Sequence, residues 1–210
     1  MKNAWSGFKG RFWGKVFASP SLRFIFGFYI FSNKHTRMMK KEIKVNFKGN
    51  TTLVDLGAGS GYFTSIAAKT NPNGKIIAVD LSDMMINRLK ENLNKKGLGA
   101  NVTIKKEQIE HTTIKDNSAD VIILSNVLHE LIDPKNIVNE MNRILKKGGI
   151  ILASEFIDNP FGRKFLSHHD NEVHGPYSVE EIQHYFGKCG YFREVKIDTD
   201  TNRILAIIKK

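Results

Sequence analysis

One carboxylate and three glycines, arranged as Asp55-Leu56-Gly57-Ala58-Gly59-Ser60-Gly61, carry the strongest chemical signal in the chain. Glycines at alternate positions let a backbone bend sharply and approach a ligand without interference from Cβ atoms. A helix predicted to begin at Tyr62 would direct its unpaired first-turn N–H groups at the same ligand. The spacing is G-x-G-x-G, not the G-x-G-x-x-G of dinucleotide binders, and no G-K-[ST] follows as in phosphate loops. An acid two residues before the first glycine would repel a pyrophosphate but attract an ammonium. Asp80, 25 residues after Asp55, ends the next apolar run and is placed to accept both hydroxyls of a ribose. Helix capping is the competing role for Asp80, but Ser82 and Asp83 already supply the preferred capping types. Further along, His129 and Glu130 follow a fourth apolar run, and Glu155 ends a fifth. His168, His169, Asp170, Glu172, His174, Tyr177 and His184 then crowd one segment. Imidazoles and carboxylates at that density could ligate a divalent ion, but their spacing fits no established zinc pattern, so no metal is assigned.

These residues need a scaffold that brings them to one edge. From residue 50 onward, β-rich runs at Thr51–Asp55, Lys75–Asp80, Val102–Lys105, Ala119–Leu124, Gly149–Ser154, Phe192–Asp198 and Arg203–Lys209 alternate with stretches whose apolar residues fall three and four apart. Such alternation predicts a parallel sheet covered on both faces, with its ligands beyond the carboxyl ends of the strands. Ser82 or Asp83 caps a predicted helix ending near Lys95-Lys96-Gly97. Asp133-Pro134 opens a second helix that Lys146-Lys147-Gly148-Gly149 closes. Ser178 and Glu181 have capping-box spacing for a helix reaching about Lys188. Only Thr199–Asn202 separates the last two runs, which predicts a hairpin and hence one antiparallel strand. The expected fold is therefore α/β, a Rossmann-like doubly wound sheet of seven strands.

Charge divides the chain in two. The 210 residues carry a net +11, yet residues 1–48 alone hold eleven basic residues against Glu42, leaving +1 for residues 49–210. The same 48 residues contain 11 of the 21 aromatic residues. This reads as a basic, aromatic, helical N-terminal segment on a near-neutral body of residues 49–210. A spanning helix needs about 20 apolar residues; the longest apolar stretch, Leu22–Phe31, has ten and includes Arg23. Lysines and glycines interrupt Trp5–Ala18, so a secretory signal does not fit either. The segment suits a lid over the ligand site or a contact with an anionic membrane surface. Its residue types would also serve RNA phosphates and bases. A single cysteine, Cys189, excludes an intrachain disulfide framework and points to a cytoplasmic protein, soluble or peripheral to a membrane.

Together the motifs resemble those of the class I S-adenosylmethionine-dependent methyltransferases. Asp55–Gly61 is similar to their first motif, Val79-Asp80-Leu81-Ser82-Asp83-Met84-Met85 to the second, Asn101–Asp120 to the region leading into the fourth strand, and Leu145–Leu152 to the junction into the fifth. The likeness runs over residues 40–210 and is strongest to the small-molecule branch, including quinone-biosynthesis-type C-methyltransferases. It implies S-adenosylmethionine as cofactor and S-adenosylhomocysteine as product. Asp55, Gly57, Ala58, Gly59 and Gly61 would surround the methionine portion, Asp80 with Leu81 the ribose, and Met84 or Met85 the adenine. Gln108, beside Ile109, stands where the family often has an Asp for the adenine amino group; an amide oxygen can accept that bond without charge. Asn126 stands where backbone groups meet the cofactor. Methyl transfer requires alignment of a nucleophile and, for some acceptors, removal of a proton, which makes His129 and Glu155 the catalytic candidates. His168, His174 and Tyr177 lie in the expected substrate-binding insertion.

The leading expectation is an enzyme that methylates a small acceptor, a lipophilic one suiting the aromatic N-terminal segment. An RNA methyltransferase using the basic arm, and a non-catalytic cofactor-binding module, are the alternatives. Confinement of the charge to one segment, and the lack of an N-P-P-Y-type clamp or a motif cysteine, argue against nucleic acid.

Overall fold

The computed structural model describes residues 34–167 and 174–210. Residues 1–33 of the N-terminal segment, and His168, His169, Asp170 and Glu172, lie outside the described residues. Seven strands form one sheet in the order β3-β2-β1-β4-β5-β7-β6. They are β1 (Thr52–Leu56), β2 (Lys75–Asp80), β3 (Val102–Lys106), β4 (Ala119–Ser125), β5 (Leu145–Phe156), β6 (Glu194–Thr199) and β7 (Arg203–Lys209). Strands β1 to β5 pair in parallel, and β7 runs antiparallel to both of its neighbours. The order reverses between β1 and β4, the kind of switch point at which open α/β sheets bind ligands.

Alternation along the strands explains both layers. Leu53, Val121, Ile123, Ile150, Leu152 and Leu205 are buried on one face against α1 (Lys34–Asn46) and α2 (Tyr62–Thr70). Val54, Leu56, Ile122, Leu124, Ile151, Ala153 and Ile204 are buried on the other, against α4 (Pro134–Ile144). Helix α3 (Asp83–Lys95) packs Leu89 and Leu93 on Ala58 and Ala78. In α1 the inward positions are Met39 and Ile43, with Phe47 just beyond the helix, all essentially inaccessible, while Lys41, Lys44 and Lys48 face solvent. Burying each such apolar side chain contributes about 1.5–3 kcal/mol. Helix α1 is also tied to the β6–β7 hairpin: Lys34 Nζ donates to Asp198, and the buried His35 Nε2 lies 2.8 Å from the same carboxylate.

Most of the expected helix ends are present. Ser82 caps α3 by accepting from Met85 N–H, Asp133 caps α4 by accepting from Lys135 N–H, and Ser178 with Glu181 forms the capping box. One boundary differs, and one helix changes type along its length. Helix α4 ends at Ile144, and β5 begins at once with Leu145 instead of after the Lys-Lys-Gly-Gly run. Leu145 is buried opposite Ala119, and Lys146 pairs with Asp120, so burial and charge draw these residues into the strand. Between short α5 (Pro160–Leu166) and β6, the capping box opens only one turn, α6 (Val179–Ile182), which widens into a π-type turn over Gln183–Gly187.

Candidate functional site

The glycine-rich turn follows β1, and each of its glycines has a different reason to be one. All three have positive φ, +73° at Gly57, +54° at Gly59 and +83° at Gly61. A Cβ on Gly57 would run into Val127, and one on Gly61 into Leu89, whereas a Cβ on Gly59 would meet nothing within 4 Å. Gly57 and Gly61 are thus closed by the protein, while Gly59 faces open space. The amides of Gly57 and Ala58 donate to Val79 O (2.9 Å each), and Gly59 N–H donates to Asp80 Oδ2 (2.7 Å). Much of the loop's donor capacity is therefore spent on holding the turn to the tip of β2. The ligand-facing donors expected of the sequence are limited to the start of α2, which has no side-chain cap.

Both acids face this turn. Asp80 Oδ1 also accepts from Ser82 N–H (2.9 Å), so it braces the loop and the start of α3 together; four lone-pair positions on the carboxylate leave room for ribose hydroxyls as well. Burial raises its pKa, against the backbone hydrogen bonds from Ser82, Gly59 and Leu81 that lower it. Asp55 is 3% exposed and accepts from Thr64 Oγ1 at 2.6 Å. Burial is the main cause that pushes its pKa up to about 6, with the charge of Asp80 adding to it and the Thr64 bond opposing it. Met84 is half-buried at the surface, whereas Met85 is packed inside α3, so Met84 is the methionine accessible to an adenine. Leu81 is part-exposed, Gln108 exposed, and Ile109 buried beside it.

At the tips of β4 and β5 the chain brings His129 and Glu155 together. His129 lies in a short 3-10 turn, Leu128–Glu130. Its Nδ1 is 2.8 Å from Glu155 Oε1, its backbone N–H donates to Oε2, and Phe156 N–H donates to Oε1. Burial lowers the imidazole pKa, but the Glu155 carboxylate outweighs it and holds His129 above its ordinary value. Burial likewise raises Glu155, and the charge and hydrogen bond of His129 bring it below the ordinary range. The other ring nitrogen of His129, Nε2, lies 3.9 Å from Glu130 Oε1. With Glu155 only 1% exposed, the pair also fastens the β4 loop to β5. Asn126 adopts a left-handed φ of +57°; its N–H donates to Ser154 O (2.8 Å), and its Oδ1 is buried with no hydrogen-bond partner among the described residues.

The remaining substrate candidates separate. Tyr177 is fully buried in the core and donates its hydroxyl to Leu128 O (3.2 Å), with burial pushing its pKa well up. Where the sequence led us to expect a substrate contact, the side chain is buried beneath the loop that carries Leu128. His174 stacks on its ring, centroids 4.1 Å apart, and pairs through Nε2 with Glu181 at 3.3 Å. His168 lies outside the described residues. Among the described residues, no group of three His, Cys, Asp or Glu side chains could hold a metal.

Arg203, which the sequence did not single out, is buried in phase with Leu205 on β7 and donates through Nη2 to Ser154 Oγ at 2.9 Å.

A doubly wound sheet of this strand order, with a glycine-rich turn after β1 and an acid ending β2, defines the Rossmann-like architecture of class I S-adenosylmethionine-dependent methyltransferases. Comparison with known proteins agrees. The family described as a methyltransferase domain matches residues 47–194, and the chain belongs to that family. It is 27% identical over 145 residues to an arsenite methyltransferase of Halobacterium salinarum, covering 67% of this chain and 37% of that protein. It is 34% identical over 110 residues to the ubiquinone/menaquinone biosynthesis C-methyltransferase UbiE of Pasteurella multocida, covering 52% of this chain and 41% of that protein. The matches thus span about two fifths of each relative's length. The fold is shared with a SAM-dependent methyltransferase from Aquifex aeolicus, at a TM-score of 0.69 and 21% identity over 97% of this chain and 98% of that one.

The residues at the site fit the cofactor of this class. Open space opposite Gly59, a carboxylate at each of the β1 and β2 tips, and an unpartnered acceptor on Asn126 match a ligand with an ammonium, a ribose diol and hydrogen-bond donors.

Proposed function

We propose that this chain transfers a methyl group from S-adenosylmethionine to a small acceptor, one of lipophilic character. The observation that carries the reading is the shared edge of the sheet: the open Gly59 turn with Asp55 and Asp80 on one side of the switch point, and Asn126, His129 and Glu155 on the other. When bound, the cofactor supplies an electrophilic methyl on a sulfonium. Asp55 offers charge to an ammonium, Asp80 receives the ribose hydroxyls, Gly59 lets the backbone come close, and Met84 supplies an apolar surface for the adenine. Gln108 and Ile109 complete the adenine end. Across the edge, His129 stands on the acceptor side, its Nδ1 held by Glu155 at 2.8 Å and its Nε2 3.9 Å from Glu130 Oε1. His174 lines the approach, and His168 is a further substrate contact.

The exposed lysines of α1 support a further role for residues 1–48 as a contact with an anionic membrane surface, the environment of lipophilic acceptors. Among the described residues, no helix is long and apolar enough to cross a membrane. Vesicles of phosphatidylglycerol should retain the chain, and vesicles of phosphatidylcholine should not.

Transfer of labelled methyl from S-adenosylmethionine into a cell extract tests the reading. Label is expected in small molecules soluble in organic solvent. Label in RNA would select the nucleic-acid alternative, and cofactor binding without any transfer would select a non-catalytic module.

A further inference from the structure

Asn92 is half-buried in the third turn of α3, beside the buried Leu93 and three residues after the buried Leu89. Asparagine is a poor residue for a helix interior because its side chain competes for backbone groups. Its use here has a reason outside the helix: Asn92 Nδ2 donates to Ser60 O at 2.8 Å, 32 positions earlier in the glycine-rich turn. A carbonyl oxygen only accepts, so it is the amide nitrogen of Asn92 that faces it. Leu89 grips the same turn, since a Cβ on Gly61 would lie 2.2 Å from Leu89 Cδ1.

The peptide joining Ser60 to Gly61 is one rigid plane, and two bonds fix it. Its oxygen is on Asn92, and its N–H, that of Gly61, donates to Ala58 O at 2.9 Å. Ser60 stands between Gly59 and Gly61, both at positive φ, so neither neighbour has a Cβ to limit rotation of this plane. Gly61 is also the N-cap residue of α2, where no side chain makes a cap, and its carbonyl accepts from Ser65 N–H. The direction taken by the first turn of α2 therefore follows from the plane that Asn92 holds. The rest of the turn is held separately, by Gly59 N–H on Asp80 and by the amides of Gly57 and Ala58 on Val79 O.

Resting on the methyltransferase reading above, we propose that Asn92 is a positioning residue for the methionine end of the cofactor. Through the Ser60 carbonyl it sets the Ser60–Gly61 peptide and the start of α2 against the amino-acid group, while Asp80 serves the nucleoside end without it.

The test is calorimetric titration of the full chain with S-adenosylhomocysteine and with methylthioadenosine, which keeps the nucleoside and the sulfur but lacks the amino-acid group. Wild type should bind both. Asn92→Ala should weaken S-adenosylhomocysteine about fivefold, the worth of one hydrogen bond, while methylthioadenosine stays within about twofold of wild type. Asn92→Asp, nearly the same size but with no N–H to give, should show the same split and replaces the alanine variant if that one fails to fold. A merely structural role would weaken both ligands alike. Equal losses for the two ligands, no loss for either, or a wild type that takes S-adenosylhomocysteine but not methylthioadenosine overturns the proposal. Failure of S-adenosylhomocysteine to bind wild type would instead overturn the methyltransferase reading.

Discussion

Replacing Asp55 with Asn removes an ionisation that the fold resists and the cofactor needs. The carboxyl rises from its ordinary 3.8 to about 6 through burial. A carboxyl with a folded-state pKa above its unfolded value contributes stability that is complete below about pH 3.8 and is lost as the pH rises through about 6. The rise of roughly two units corresponds to about 3 kcal/mol lost between pH 4 and pH 8. An Asn at this position cannot ionise and still offers an oxygen to Thr64, so ligand-free Asp55→Asn should gain about 3 kcal/mol on wild type over that interval, with little difference left at pH 4. Urea unfolding at both pH values measures it. Binding should run the other way. The ammonium partner stabilises the ionised acid, so wild-type affinity for S-adenosylmethionine should fall about tenfold from pH 7 to pH 5, where about a tenth of Asp55 remains ionised. The variant should bind weakly and lack this component. Asp80, also raised, titrates in both proteins, so the difference between them isolates Asp55. A stability difference that is constant across pH, or an affinity that falls equally in both proteins, would refute the reasoning.

Other outcomes follow from the same geometry. Gly59→Ala should cost the fold only about 1–2 kcal/mol of left-handed strain yet abolish cofactor binding, whereas Gly57→Ala, which meets Val127, should destabilise by more; thermal melts with and without S-adenosylmethionine separate the two. Glu155→Gln should cost about 3–5 kcal/mol by removing the nearer counter-charge of a buried imidazole, leaving only Glu130 at 3.9 Å. The pair's contribution is greatest between the ordinary Glu and His values of 4.5 and 6.5, declines above that as His129 loses its proton, and declines below it as Glu155 gains one. The loss, followed by urea unfolding, should therefore narrow toward high pH. Phe47→Ala should cost about 3–5 kcal/mol in the same assay, since Phe47 is fully buried beneath α1.

The parts of this protein legible in its sequence are those written locally. Continuous apolar runs at β4 and β5 need no partner to be recognised, and Ser82, Asp133 and Ser178 cap helices through bonds within a few residues. The Gly57–Gly61 turn was legible for the same reason, its three positive-φ glycines lying within five residues. What was not legible depends on distant pairing. Leu145 enters a strand because Ala119 lies opposite it, and Tyr177 is buried with its hydroxyl on Leu128 O, 49 positions earlier. The tie between His129 and Glu155 spans 26 positions and shows only in the folded chain, where the two lie 2.8 Å apart.

The claim on which the rest depends is that the Gly59 turn and Asp80 together hold S-adenosylmethionine. Calorimetric titration of wild type, Asp80→Ala and Gly59→Val measures it. One equivalent of cofactor should bind wild type, at least about tenfold less tightly when Asp80 is removed and not detectably when a valine fills the open space. Wild-type affinity retained in both variants would contradict the account.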